Sequence, residues 1–444
     1  MTKTPVSKLI LTLGLPTTVS MLITGIYNLA DTYFVGGLGE SPQAATGILF
    51  TLQSIIQAIA FMLGHGSGSF VSKALADKNT KEATTYVSSA FFIGAAAGTL
   101  LSVFGLIFLK PFMLLLGSTD TILPYACDYG FWVLVSCPFM VCSLILNNNL
   151  RYEGKAFYSM IGLTTGGLLN IFGDWLLVSK LGMGVYGAGL ATAVSQTVSF
   201  LILLVMYLKM AQSTLSLRAV SRNFAVYWGI CRVGFPSLIR QGLTSISSGL
   251  LNNLTKPFGD AAIAAMSVVN RFSMLVMCVG LGIGQGFQPV ASFNFQAKEY
   301  KRVKQGLIFT TVFGFCAVAV LSACGFVCAA PIVRIFQKSE EVIRIGTPAL
   351  RYATIGLLFL PLSVPVNMLY QSIRCAGVAS FLSILRSGAI LIPTLLIAVP
   401  ALGLTGIQIA QPLSDCITGL ISIPFTVHFL RKDHSGANTS VNKS

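Results

Sequence analysis

Residues 9–39 read LILTLGLPTTVSMLITGIYNLADTYFVGGLG. The whole stretch carries one charge, Asp31. About 20 consecutive apolar residues suffice to cross a bilayer as a helix. An ionised carboxylate at the centre of such a helix costs about 2.5–3.5 kcal/mol or more. The stretch thus implies a membrane helix, and it raises the question of what repays the charge.

The rest of the chain extends the first implication. Of 444 residues, 54% are hydrophobic and only 10% are charged, and mean hydropathy is +0.78. A soluble protein carries about 25% charged residues, so little sequence is left for a water-facing surface. Lipid-facing backbone must pair internally, and long apolar runs without strict alternation select helices over strands. Residues 1–30 resemble a signal peptide only at first glance: the apolar run is too long and leads straight into a second one, so a retained first helix is expected. The net charge of +15 is spread over alternate connecting loops. Lys73, Lys78 and Lys81 share one, Arg151 and Lys155 another, and Lys298, Lys301, Arg302 and Lys304 a third. Loops 36–43 and 400–406 lack Lys and Arg. This positive-inside alternation places both termini in the cytoplasm and argues against nucleic-acid binding. The ten cysteines form no CxxC pair and read as small apolar packers.

Hydropathy and loop charge together predict twelve spans, hence an all-α integral membrane protein. The chain also matches itself at an offset of 220: Gly14 and Pro16 fall on Gly234 and Pro236, Gly39 on Gly259, Gly64 and Gly66 on Gly284 and Gly286, Lys78 on Lys298. Opening the offset to 223 sets Arg151-x-x-Gly154 on Arg374-x-x-Gly377. The pattern predicts a duplication of six helices, with an N-terminal lobe over 1–211, a linker over 212–223, a C-terminal lobe over 224–432 and a polar tail over 433–444. Parallel six-helix halves are a known transporter plan, with sites near the midplane and motion of one bundle against the other.

Of 14 acidic residues, most belong to loops or helix ends. Asp31, Asp174 and Asp415 sit deeper. Thr24, Tyr27, Asn28 and Asp31 share one helix face, and Asn170 lies one turn before Asp174. The repeat pairs Asp31 with Leu251, and, at the wider offset, Asn170 and Asp174 with Pro393 and Ile397. An acid needed by the fold should recur in the second copy; these do not, which points to function. Two carboxylates in a poorly solvated place favour a shared proton or a bound hard cation, with Asn170 and Thr192 as neutral oxygen donors. Asp415 suits a satisfied interior hydrogen bond, and His65 a pore-lining or structurally paired role. Arg240 and Arg271 are intramembrane cations of open role. Asn147, Asn148 and Asn149 serve either a cavity or interhelical hydrogen bonding. GHGSGS (64–69) and GLGIGQG (280–286) lack a following GK[ST] and read as helix packing. With no nucleophile–base set, phosphate loop or metal-ligand cluster, an enzyme is not expected.

DTYFVGGLG (31–39), GHGSGSFVSKALADKN (64–79), LRYEGK (150–155), NIFGDWLL (170–177), LGMGVYGAGLATAVSQ (181–196) and GIGQGFQPVASFNFQAK (282–298) occur in this order along the chain. In this ordered set the chain resembles the multidrug and toxic compound extrusion (MATE) transporters, from about residue 6 to 430, and most of all the DinF-type branch with its MepA-like exporters. The resemblance implies a V-shaped fold of two six-helix lobes and antiport of amphipathic, often cationic compounds against H⁺ or Na⁺, with H⁺ preferred. It implies a coupling-cation set of Asp31, Asn170, Asp174 and Thr192, which would hold the metal ion if Na⁺ is the ion used. A substrate cavity near Tyr27 and Asn147 and a hinge at Pro16 follow from it too; Thr24 and Asn28, on the helix face of Tyr27, and Asn148, beside Asn147, are further candidates for that cavity. No cofactor is implied; the partners are small molecules and lipids, the state monomeric, and the location the bacterial cytoplasmic membrane. The sequence departs from the NorM-type branch, whose second lobe carries acids in spans seven and ten. The alternative is a lipid-linked oligosaccharide or lipid flippase of the same superfamily, which would favour a cationic cavity.

Overall fold

A computed structural model describes residues 2–336 and 339–432; the tail expected over 433–444 lies outside them. The described chain is helical, without strands. Its helices are α1 (Val6–Gly36), α2 (Glu40–Ala76), α3 (Thr80–Ile107), α4 (Leu109–Leu115), α5 (Leu123–Tyr152), α6 (Ala156–Asp174) and α7 (Gly184–Met210), then α8 (Phe224–Thr255), α9 (Asp260–Gln296), α10 (Tyr300–Val327), α11 (Ala329–Phe336), α12 (Glu340–Leu357), α13 (Leu360–Ser372), α14 (Ala376–Ile384), α15 (Leu391–Leu402) and α16 (Leu404–Arg431). Two π-helical stretches interrupt them, Trp175–Lys180 after α6 and Leu385–Ile390 between α14 and α15. Among the described residues ten helical stretches are long and apolar enough to span a membrane, and α12 with α13, bent by 45° at their junction, makes an eleventh. The remaining expected pass is α8, which has 32 residues. At 1.5 Å per residue it is about 48 Å long, but it carries Arg232, Arg240 and Gln241.

The duplication is written into local geometry. Gly39 and Gly259, which open α2 and α9, both have positive φ, 133° and 88°. Lys78 and Lys298, which close the same helices, take φ of 58° and 62°. The structure also corrects the wider offset. Gly154 N–H donates to the Arg151 carbonyl (2.9 Å) and Lys155 N–H to Leu150 (2.8 Å). The same turn recurs as Arg374 to Gln371 (3.1 Å) and Cys375 to Tyr370 (2.8 Å). Asn147 Nδ2 donates to the Ser159 carbonyl (3.1 Å), and Asn367 Nδ2 to that of Ala379 (2.7 Å). The offset therefore stays at 220 into α6 and α14. The shared Arg-x-x-Gly misleads because the left-handed position of this turn is Gly154 in one copy (φ 81°) and Arg374 in the other (φ 65°). Asn170 then pairs with Ile390 and Asp174 with Thr394; the second copy still has no acid at either place.

Packing divides the chain into two compact units, Pro16–Ser245 and Met1–Leu15 with Ile246–Ser444. The divisions fall inside α1 and α8, so the packing units differ from the sequence repeats by an exchange of half-helices. In the first unit a Cβ on Gly66 would strike the Ile230 carbonyl, and one on Gly234 that of Met62, so α2 and the start of α8 touch backbone to backbone. In the second unit a Cβ on Gly286 would strike Gly14, and one on Gly14 would come 3.5 Å from Ile283 Cα, so α9 and the start of α1 meet likewise. The glycines correspond at the 220 offset, Gly66 with Gly286 and Gly14 with Gly234. Each unit has its own apolar core, around Leu49, Leu52, Ile56, Val133 and Leu134 in the first, and Val269, Leu350, Leu395 and Ile407 in the second.

The connection after α7 is fastened to the Pro16–Ser245 unit. Glu153, just beyond α5, is 4% exposed. It accepts hydrogen bonds from Gln212 N–H (2.5 Å), Ser213 N–H (3.3 Å), Tyr207 OH (3.3 Å) and the Ser213 hydroxyl. Burial raises its carboxyl above the usual glutamate range, against the pull of these donors. Ser88 and Ser89 of α3 hold Ser216 N–H (3.1 Å) and Ser221 N–H (2.9 Å).

Candidate functional site

Asp31 lies late in α1, Tyr129 early in α5, Asn170 and Asp174 at the end of α6, and Thr192 in α7. All belong to the Pro16–Ser245 unit. Small residues let these helices close in. A Cβ on Gly167 of α6 would come 2.6 Å from Ile23 of α1, and one on Gly173 2.8 Å from Ala191 of α7. A Cβ on Gly189 of α7 would come 3.1 Å from the Tyr129 backbone of α5. Larger side chains at these three positions would push Asn170, Thr192 and Tyr129 apart.

The polar atoms that result form a directed chain. Asn170 Nδ2 donates to Thr192 Oγ1 at 3.2 Å, Thr192 Oγ1 lies 3.2 Å from the Tyr129 hydroxyl, and that hydroxyl donates to Asp31 Oδ2 at 2.8 Å. Because Tyr129 spends its proton on the carboxylate, its bond with Thr192 must use the threonine proton. Every donor then points toward Asp31. What remains is an unmatched set of acceptors: Asp31 Oδ1, Asn170 Oδ1 and both oxygens of Asp174 are buried without a partner among the described residues. Asp174 is wholly inaccessible. It closes α6 where the helix passes into the π-helical stretch Trp175–Lys180, a distortion frequent at functional sites. Buried acceptors are ordinarily paired, and a buried charge without its partner costs several kcal/mol. Four oxygens from three side chains, with no basic residue among their partners, fit a proton or a hard cation.

The other expected residues are placed differently. Tyr27 is buried, Thr24 and Asn28 half-buried. Thr24 Oγ1 donates to the Ser20 carbonyl at 2.9 Å, and Gly167 brings α6 against Tyr27. Asn147 ties α5 to α6 through the Ser159 carbonyl, and Asn148, fully buried, donates to the Leu144 carbonyl at 2.7 Å. Asn148 Oδ1 accepts from Arg151 Nη2 at 2.5 Å, and the same nitrogen lies 3.1 Å from His65 Nε2. A guanidinium only donates, so Nε2 accepts, the proton sits on Nδ1, and Nδ1 donates to Ser237 Oγ at 2.8 Å. His65 is thus paired structurally, joining α2, α5 and α8. Pro16 stands where the packing units part, at Leu15–Pro16.

Two residues escape the sequence reading. Tyr129 sits in DYGFW with no polar periodicity to announce it; only the fold brings it to Asp31. Arg386 is a cation in an apolar span, and its partner lies on another helix. It donates from Nε to Asp415 Oδ1 at 2.7 Å, and Gln411 Nε2 donates to the same oxygen at 3.0 Å. Asp415 is therefore a satisfied interior acid, as its sequence context suggests.

The MatE family profile matches residues 16–176 and again 236–397. Its two starts differ by 220 residues and fall on Pro16 and Pro236, which is the duplication seen in the sequence. The chain is 25% identical over 444 residues to the multidrug export protein MepA of Staphylococcus aureus (strain MSSA476), covering 99% of this chain and 97% of that one. It is 26% identical over 436 residues to MepA of Staphylococcus saprophyticus, covering 97% and 95%. A crystal structure of MATE in complex with MaL6 superposes with a TM-score of 0.90 at 24% identity, over 96% of this chain and 97% of that one. An outward-facing multidrug resistance MATE family transporter of the MOP superfamily also gives 0.90, at 23% identity and 96% of each chain. A twofold profile match, full-length relatives and a shared helical fold agree that this chain belongs to the MATE family of membrane transporters.

Proposed function

We propose that the protein exports amphipathic, often cationic compounds across the bacterial cytoplasmic membrane in exchange for H⁺ or, second in preference, Na⁺. The observation that carries this reading is the buried acceptor set of Asp31, Asn170 and Asp174, which has no fixed cation. Full-length similarity to multidrug export proteins supplies the substrate class. In this reading the ion reaches Asp31 and Asp174, neutralises them and removes the cost of holding two acids in one poorly solvated place. Tyr129, itself bonded by Thr192, keeps Asp31 Oδ2 bonded throughout, so the exchangeable positions are Asp31 Oδ1 and the Asp174 oxygens. Occupation then reshapes α1. Pro16 supports that step because it lacks the N–H that a helix interior uses and so allows bending. The basic loops support cytoplasmic termini.

Proteoliposomes holding a fluorescent cationic dye, with pH and Na⁺ gradients imposed separately, test the reading. Export should follow the pH gradient and stop in Asp31→Asn and Asp174→Asn. Undiminished gradient-driven export in both variants would sink the coupling role, and export driven by Na⁺ alone would reverse the preference between ions.

A further inference from the structure

The Met1–Leu15 and Ile246–Ser444 unit holds its own intramembrane charge, built differently. Arg386 lies in the π-helical stretch Leu385–Ile390. The Arg386 carbonyl accepts from Ser414 Oγ at 2.6 Å and the Ser387 carbonyl from Ser247 Oγ, so hydroxyls from α16 and α8 fasten this distorted turn. The Arg386 side chain is 15% exposed, against 3% for its partner Asp415. Asp415 takes only Nε. Among the described residues Nη1 and Nη2 hydrogen-bond a single further atom, Met277 Sδ of α9, at 3.5 Å each. The two-pronged edge that guanidinium normally offers to a carboxylate or phosphate is therefore stoppered by a thioether, a weak acceptor on a flexible side chain. A guanidinium in a membrane span does not face acyl chains, so its exposed part meets water or a ligand.

We infer that Arg386 forms a subsite for an oxyanionic group, in the first place a carboxylate, which enters by displacing the Met277 thioether. Asp415 and Gln411 hold the guanidinium in place from its Nε side. The inference rests on the export reading and names one class of substrate within it, amphipathic compounds carrying a carboxylate beside their cationic or aromatic part. A purely cationic compound gains nothing from this subsite.

The test uses a rhodamine dye with a free carboxylate and its methyl ester, which differ in that group alone. Their affinities for the purified full-length protein in nanodiscs are measured by fluorescence polarisation. The wild type should prefer the free acid by about tenfold, the worth of one charge-assisted hydrogen-bond pair. Arg386→Lys, which keeps a charge opposite Asp415 but loses the fork, should collapse that preference and leave ester binding within twofold. The double variant Arg386→Gln with Asp415→Asn leaves no charge unpaired and should do the same, which guards against misfolding of a single variant. Equal binding of both dyes by the wild type, or parallel loss of both in the variants, would overturn the subsite. Export from proteoliposomes is scored separately. A carboxylate preference that depends on Arg386 without export of either dye would defeat the export reading and leave the subsite standing.

Discussion

The two packing units answer the same physical problem in opposite ways. In the Pro16–Ser245 unit, Asp31 and Asp174 lie among hydroxyl and amide donors, and four oxygens of Asp31, Asn170 and Asp174 have no partner among the described residues. In the other unit, Asp415 has a guanidinium at 2.7 Å and an amide at 3.0 Å. An acid with a built-in counter-charge is finished when the chain folds. An acid without one needs a mobile cation, and its energy changes whenever that cation arrives or leaves. In the proposed function the uncompensated arrangement serves ion coupling, while the compensated one holds helices and, in the proposed subsite, orients Arg386. The duplicated halves thus share a scaffold and divide the electrostatics.

The sharpest way to break this contrast is to neutralise the acids one at a time. Asp174→Asn should lower gradient-driven export by about two orders of magnitude or more while the protein stays folded, because it removes a charge that had no partner to strand. Asp415→Asn should leave ion coupling intact and act on stability instead. It strands Arg386, so it should cost about 3–5 kcal/mol, read as a lowered melting temperature in detergent. Pairing it with Arg386→Met should recover most of that loss. If Asp174→Asn were destabilising and Asp415→Asn were not, the contrast would be inverted.

Smaller changes refine the picture. Tyr129→Phe removes the donor to Asp31 Oδ2 and stops the directed chain. A hydrogen bond to a charged group is worth about 1.5–3 kcal/mol, so the apparent affinity for the coupling ion should change by about tenfold or more, measured as the ion dependence of initial export rates. Thr192→Val, one step further along the chain, should give a weaker effect in the same direction. Smallest is Glu153→Gln, which keeps the shape of the clasp on the 212–213 connection but places amide protons against donors. It should cost about 1–3 kcal/mol locally, seen as faster hydrogen exchange at Gln212 and Ser213 with little change in export.

Much of this was readable before the fold. Low charge and long apolar runs identified a helical membrane protein, and the repeat located Asp31 and Asp174 as acids peculiar to one half. That Asn170 and Thr192 belong to one site came from their neutral oxygens and the family resemblance; the close approach of α6 and α7 at Gly173 and Ala191 is a property of the packing. Three features were not legible. The exchange of half-helices at Gly14 and Gly234 depends on which backbone meets which, and both copies carry the same glycines. The offset of 220 through the Gly154 and Arg374 turns was hidden by a shared Arg-x-x-Gly whose residues occupy different turn positions. Tyr129 came from a helix with no polar stripe, since a single hydroxyl on an aromatic ring leaves no periodicity.

The sequence by itself therefore determined the solvent of this protein, its twofold plan and the half in which uncompensated acids lie, because hydropathy, spacing and charge are properties of residues in order. Tertiary structure alone decided which acid has a partner. The local sequence sets Asp415 and Asp174 apart but names no partner for either; in the fold Asp415 is met by Arg386 from 29 residues away, and Asp174 is left, among the described residues, with bare oxygens. Pairing depends on distance in space, falling off over a few ångströms, and no linear spacing carries that information.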